Sequence, residues 1–158
     1  MKKLKFRAYD IKNKTMIPHE KLFEKNTETP FVEVCQNENY ETSQFVGRQD
    51  GNGVDVYTHD ILELHITSEL MESGFRYSNL GKVVAEESLT DVICVLKDNK
   101  YLETPYEVYF KKDGKYVRDK KELPEIMAYG EDITFPMYLC EKGAVVIGNI
   151  FQNNDLIK

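Results

Sequence analysis

The chain has 158 residues, of which 41% are apolar and 30% are charged. This length fits one domain with a hydrophobic core, and the composition excludes a disordered chain. A net charge of −6 argues against a surface that attracts nucleic acid as a whole. No apolar run reaches the ~20 residues of a membrane-spanning helix, so no membrane partner is expected.

Charge is distributed unevenly along the sequence. Residues 1–25 contain eight basic and three acidic side chains, a local charge of +5, whereas the remainder carries −11. One interpretation is a basic arm that contacts a phosphate backbone or an acidic protein. The other is a solvated edge strand that its lysines protect from aggregation.

The N-terminal half is predicted to consist of short strands. Apolar and polar side chains alternate with the period of a half-buried strand in several segments. Residues 22–30 have the composition of a loop, and His19 is expected to be solvated in a loop after Pro18. The predicted strands are residues 4–9, 16–17, 31–35, 44–46 and 54–66, the last with a break at 58–60.

The C-terminal half continues this pattern. The apolar run 92–96 is typical of a strand buried on both faces, and Asp113-Gly114 predicts a hairpin. Residues 67–80 fit either a loop or a short helical turn. The other predicted elements are strands at 81–85, 106–110, 116–117 and 144–151, a short helix at 120–128 and a capped final turn at 154–156. About eight short strands predict one mainly β domain, a small barrel with additions.

The stretch at residues 47–62, GRQDGNGVDVYTHDIL, contains three glycines and raises the question of a ligand loop. It lacks the Lys-Ser/Thr of a phosphate-binding loop and the third glycine of a dinucleotide fingerprint. A calcium loop beginning at Asp50 would lack its central glycine and its final glutamate. A tight turn remains, because residues 50–53 tolerate positive φ angles. The predicted turn residues are Asp50, Gly51, Asn52 and Gly53.

Three motifs in order resemble the YopX family of bacteriophage and prophage proteins. Residues 4–10 read LKFRAYD and are followed by Lys14-Thr15-Met16, similar to the family's opening IKFRAWD…K.M. Residues 44–62 are similar to Q.TGLKDKNGKEIYEGDIV, and residues 81–84 match a following G.V strand. Residues 146–157 read VIGNIFQNNDLI, similar to VIGNIYENPELL.

The resemblance implies a mainly β fold with an SH3-like small barrel, additional strands and one or two short helices. It also implies a single domain over residues 1–158, a phage or prophage origin and a bacterial cytoplasm. No motif aligns with residues 85–140. The family has no assigned activity, so the resemblance carries over no catalytic residue.

One departure from the family pattern predicts a backbone conformation. The family's Glu-Gly-Asp is Thr58-His59-Asp60 in this chain. A glycine there suggests positive φ, which histidine tolerates better than most residues. We therefore predict φ > 0 at His59, with His59 and Asp60 as structural turn residues. Arg7 on the first strand is expected to pair with Asp10 or Asp60.

No combination of residues predicts a catalytic, metal or cofactor site. His59 and His65 would share a strand face, but the turn at residues 58–60 breaks that strand. The cysteines Cys35, Cys94 and Cys140 form no CxxC pair, and their odd number is typical of a reducing cytoplasm. Cys94 lies in an apolar run and is expected to be a buried core thiol. We expect no enzymatic activity and no cofactor.

Two functions remain open. The first is an accessory protein that binds another protein or itself as a homo-oligomer, through strand edges and aromatic segments such as residues 101–106. The second is a nucleic-acid-associated module that uses one face of the first strand. The candidate contacts for nucleic acid are Lys3, Lys5, Arg7 and Tyr9.

Overall fold

Antiparallel strands make up about half of the described structure. The computed structural model describes residues 4–23, 31–67, 69–70, 91–97, 106–112, 114–118 and 135–157. These residues contain nine strands in two antiparallel sheets, which confirms the predicted mainly β fold. The strands are β1 (Phe6–Asp10), β2 (Thr15–Ile17), β3 (Tyr40–Gln49), β4 (Asp55–Tyr57), β5 (Asp60–His65), β6 (Asp91–Leu96), β7 (Tyr106–Lys112), β8 (Lys115–Arg118) and β9 (Val145–Asn149).

The first sheet has the strand order β2-β1-β3-β4. Its longest strand, β3, was predicted only at residues 44–46 but has ten residues. The first half of β3 pairs with β1, and the second half pairs with β4 through Phe45 and Gln49. The register shifts between those two residues, and Gly47 within this interval has a φ of 87°. Pairing with two neighbours extends the strand beyond its short apolar stretch.

The second sheet has the order β8-β7-β6-β5-β9 and is buried on both faces. One face contributes Leu62, Cys94 and Phe110 to the main core, and the other buries Ile61 and Ile93. Every side chain from Val92 to Leu96 is at most 1% exposed. The predicted double-sided burial of this strand is therefore confirmed, as is the buried position of Cys94.

Short helices lie beside the sheets. They are α1 (His19–Leu22), α2 (Phe31–Gln36), α3 (Phe135–Glu141) and a 3₁₀ helix (Asn154–Ile157). The strand predicted at residues 31–35 is wrong, because Val34 packs with Leu22 and Ala8 in a separate small core under a helix. Five alternating residues are too few to distinguish a strand from one helical turn. None of the helices in the described part of the chain is long and apolar enough to cross a membrane.

Several predicted turns are present. β7 and β8 form a hairpin in which Lys112 and Lys115 are the paired residues next to the turn, and Gly114 in the turn has a φ of 78°. The last strand and the final turn also lie where the sequence placed them. His19 is the first residue of α1, where its Nδ1 accepts a hydrogen bond from the N–H of Phe6 at 3.1 Å, so its predicted loop position is wrong. The predicted elements at 81–85 and 120–128, and residues 101–105, lie outside the described residues.

Candidate functional site at the junction of the two sheets

The three motifs meet where the two sheets contact each other. We call this region the sheet junction and define it as the loop 50–54, the turn 57–60, the segment 149–153 and the facing side chains of β1 and β3. The loop follows β3, the turn joins β4 to β5, and the segment begins at the end of β9. Residues far apart in sequence are thereby brought together.

The carboxylate of Asp50 organises the loop and connects it to the second sheet. Its Oδ1 accepts hydrogen bonds from the N–H of Asn52 at 2.8 Å and of Val54 at 2.9 Å. Its Oδ2 accepts one from the N–H of Val146 on β9 at 2.8 Å. Burial acts to raise the pKa of Asp50, but the three N–H donors outweigh it and lower the pKa below the ordinary 3.8. The glycine-rich stretch is therefore a carboxylate-centred turn that docks on β9.

Two glycines of this loop are required for different reasons. Gly51 donates its N–H to the carbonyl of Ala144 at 2.8 Å, and an added Cβ would lie 2.6 Å from the carbonyl oxygen of Gly143. Close approach of two backbones thus requires glycine at this position. Gly53 has a φ of 80° and open space around it, so its requirement is conformational.

His59 has a φ of 72°, which confirms the prediction made from the family's glycine. Its N–H donates to the carbonyl of Leu96 at 3.1 Å, and its carbonyl accepts from the N–H of Ile150 at 3.0 Å. The left-handed conformation lets one residue connect β6 to the segment after β9. The imidazole is buried, with Nδ1 2.8 Å from Ser43 Oγ and the ring edge against Phe151 at 4.9 Å between centroids.

Arg7 and Asp60 form a buried ion pair across the sheet junction. Their side chains are 14% and 1% exposed, and Arg7 Nη2 donates to Asp60 Oδ1. Asp60 Oδ2 accepts from the N–H of Tyr57 at 2.8 Å, and the guanidinium lies 4.5 Å above the Tyr57 ring. Burial raises the pKa of Asp60, although the charge of Arg7 and this N–H act in the opposite direction. The expected pairing of Arg7 with a motif carboxylate is present.

Lys5, which directly precedes β1, and Tyr9 on β1 are also engaged on this face. Lys5 Nζ lies 2.7 Å from Asp55 Oδ2 and stands above the Phe45 ring, 5.2 Å from its centroid. Tyr9 is 8% exposed and stacks on Phe151 with 5.2 Å between centroids and 12° between planes. The face that carries Lys5, Arg7 and Tyr9 therefore packs against β3, residues 55–60 and Phe151.

The face of β1 that was proposed to contact nucleic acid takes part in contacts within the protein. An alternating strand normally leaves one face to solvent, but here helices cover Ala8 on one side and the sheet junction covers Arg7 on the other. Among the proposed contacts Lys3, Lys5, Arg7 and Tyr9, the first lies outside the described residues and the other three have intramolecular partners.

Asn149 closes the last motif. Its Oδ1 accepts hydrogen bonds from the N–H groups of Phe151 at 3.0 Å and Gln152 at 2.9 Å, and its own N–H donates to Asn153 Oδ1 at 3.1 Å. A Cβ on Gly148 would lie 2.2 Å from that same Asn153 oxygen. The Gly-Asn pair thus turns the chain so that Phe151 reaches Tyr9 and His59.

The described residues contain no group of three or more His, Cys, Asp or Glu side chains that could hold a metal ion. His65 pairs with Asp91 on β6, whereas His59 contacts Ser43. Burial raises the pKa of Cys94 well above the ordinary 9.0 and that of Cys140 to about 11, which keeps both thiols protonated at neutral pH.

Sequence reasoning missed three members of the sheet junction. Ser43 lies in a polar part of β3, Tyr57 lies in β4, and Phe151 lies after β9. No sequence motif identifies the partner of any of them. Their roles depend on contacts between residues that are distant in sequence, from 16 positions for Ser43 with His59 to 142 for Tyr9 with Phe151. The only available signal was that each lies inside or beside a recognised motif.

Comparison with known proteins agrees with the motifs. The family model described as YopX protein matches residues 5–158, which includes the middle region where no motif aligned. Among solved structures, the chain is similar to the crystal structure of protein EF1440 from Enterococcus faecalis, at 19% identity over 100% of both chains with a TM-score of 0.44. No curated protein matches the chain.

Proposed function

This chain belongs to the YopX protein family, and we propose that it is a non-catalytic phage or prophage accessory protein that binds another protein. The observation that carries the proposal is the edge of the second sheet at β8. In the part of the chain that the structure describes, β8 pairs with β7 and is the outermost strand. Its Val117 is 50% exposed. A strand edge with an exposed apolar side chain is a surface that proteins use for association.

The sheet junction supports a non-catalytic role. Ser43 and His59 form the one described serine–histidine hydrogen bond, and they are only 2% and 5% exposed. A nucleophile and its base must reach a substrate, which burial to this degree prevents. The polar motif residues hold turns and strands together, as Asp50 does with its three N–H donors.

The expected cell biology and the finer fold description belong to the same proposal. We infer a location in the cytoplasm of a bacterial host, where the three cysteines stay reduced. We also infer that the two sheets form the SH3-like barrel that the family resemblance implied, with β3 pairing with both β1 and β4 inside the first sheet. A homo-oligomer is one form that the protein association would take.

Affinity capture tests the function. The tagged protein is incubated with lysate of the bacterial host carrying the phage, with and without nuclease, and retained proteins are identified by mass spectrometry. We expect a specific protein to be retained equally in both conditions. Retention that is lost after nuclease treatment would instead favour nucleic-acid association and overturn the proposal. Retention of no protein above the level of a tag-only control would also overturn it.

A further inference from the structure

The hairpin formed by β7 and β8 is a basic projection on an acidic molecule. Residues 111–118 read KKDGKYVR, with four basic residues and one acid, a charge of +3. The remaining residues then carry −9, given the total of −6. On β8 itself, Lys115 is exposed and the Arg118 side chain is 55% exposed.

The side chains of β8 alternate between the two faces of the sheet. Val117 lies opposite Phe110, so it extends the apolar face of the main core to the edge. Tyr116 lies on the other face, where its hydroxyl donates to Glu63 Oε2 at 3.0 Å. Arg118 shares that face and contacts Glu107 at 3.2 Å, with more than half of its side chain left to solvent. An added strand would therefore meet Val117 and Lys115 on one face of the sheet and Arg118 on the other.

The backbone of β8 also offers hydrogen-bonding groups. The register Lys112 with Lys115 defines a two-residue turn, and the residues that flank such a turn exchange hydrogen bonds within the hairpin. Because inward and outward positions alternate along an antiparallel strand, Tyr116 and Arg118 direct their N–H and C=O groups away from β7. These are the groups that an incoming strand would use.

Other sheet edges are less suitable. The outer strands of the first sheet, β2 and β4, have three residues each, and Pro18 follows β2. The far side of β9 is engaged by the loop 50–54, where Val146 donates to Asp50. A β8-to-β8 pairing of two copies would bring residues 111–118 of both copies, each with a charge of +3, side by side, and like charges brought together are unfavourable.

We propose that the β8 edge binds an extended acidic segment of a partner protein as an added antiparallel strand. This inference rests on the proposed protein-binding function and specifies its site and the chemistry of its partner. Main-chain hydrogen bonds to Tyr116 and Arg118 supply the pairing. Acidic side chains beside Lys115 and Arg118, with an apolar side chain beside Val117, supply the selectivity.

Two peptides test this proposal against the full-length protein. The first has the core Glu-Val-Thr-Glu, which in antiparallel register lies opposite Arg118, Val117, Tyr116 and Lys115 in that order. The control peptide has lysine in place of each glutamate. Fluorescence anisotropy is expected to show binding of the acidic peptide and about tenfold weaker binding of the lysine peptide, because two opposite-charge pairs become like-charge pairs. Added salt should reduce the difference. Equal binding of the two peptides, or binding of neither, would overturn the proposal.

A double variant, K115E/R118E, provides the reciprocal test. It is expected to reverse the peptide preference while keeping the wild-type circular dichroism spectrum. A second readout covers the case in which this variant does not fold: in the wild-type protein, the acidic peptide should slow hydrogen exchange at the amides of Tyr116 and Arg118. Unchanged exchange at these two amides would overturn the site.

The site and the function fail in distinguishable ways. If the wild-type protein and K115E/R118E retain the same protein from lysate equally well, the protein-binding function stands and the β8 site is wrong. If the acidic peptide binds at β8 but no protein is retained from lysate, the proposed function fails while the acid-selective edge stands.

Discussion

Replacing Asp50 with asparagine tests the interpretation of the glycine-rich stretch as a structural turn. The substitution keeps the shape of the side chain but leaves one oxygen to serve three N–H donors. If that oxygen stays with Asn52 and Val54, the new amide group faces the N–H of Val146, a contact between two donors. The loop should then lose its connection to β9.

The magnitude follows from the hydrogen bonds. A hydrogen bond to a charged group contributes about 1.5–3 kcal/mol, and the two remaining bonds weaken when their acceptor becomes neutral. We expect Asp50→Asn to lower the free energy of unfolding by about 2–4 kcal/mol. For a domain of this size that corresponds to a decrease of about 4–16 °C in Tm. Urea unfolding followed by circular dichroism measures the change.

The effect should depend on pH in a defined direction. The pKa of Asp50 lies below the ordinary value of 3.8 in the folded state, so its contribution is complete above that value and is lost as the pH falls through the folded pKa. The stability difference between wild type and Asp50→Asn should be constant from about pH 5 to 7 and should shrink below pH 4.

The control is Asp155→Asn, which makes the same chemical change at an exposed position of the 3₁₀ helix. We expect it to change stability by less than about 0.5 kcal/mol. The reasoning is refuted if Asp50→Asn is as mild as this control, or if its stability deficit stays the same down to pH 2.

Three further predictions concern the sheet junction. Gly51→Ala should lower the free energy of unfolding by about 1–3 kcal/mol because its Cβ meets a backbone carbonyl. Gly53→Ala should lower it by about 1–2 kcal/mol because of its φ angle alone. Urea unfolding of the two variants measures both losses. His59→Ala should be less stable than His59→Gly by about 1–2 kcal/mol, since only glycine accepts a φ of 72° without strain. A higher Tm for the alanine variant than for the glycine variant in thermal unfolding would contradict this prediction. Arg7→Met should cost about 3–5 kcal/mol because it leaves the Asp60 carboxylate buried without its cation, and the double variant with Asp60→Leu should recover part of that loss in chemical denaturation.

The strands and the special turn could be predicted from sequence because their signals are local. Alternating side chains locate β1, an unbroken apolar run locates β6, and Asp113-Gly114 locates the hairpin before β8. The positive φ of His59 was predictable since a family glycine marks a conformation that other residues rarely adopt. These features depend on the properties of a few neighbouring residues.

The sheet junction could not be assembled from sequence because its contacts are distant. The alternation of Arg7 and Tyr9 correctly placed them on one face, but nothing local showed that Asp60 and Phe151 cover that face. The same limit explains α2, where Val34 is held by packing against Leu22 and not by its local preference. Tertiary burial decided both outcomes.

The central claim is that the motif residues build the fold, whereas the β8 edge binds the partner. The most direct test compares partner capture by Asp50→Asn and by K115E/R118E at a temperature where circular dichroism shows both variants to be folded. The account predicts that Asp50→Asn retains the partner at the wild-type level and that K115E/R118E loses it. Loss of the partner by folded Asp50→Asn, with retention by K115E/R118E, would contradict the account and move the binding site to the sheet junction.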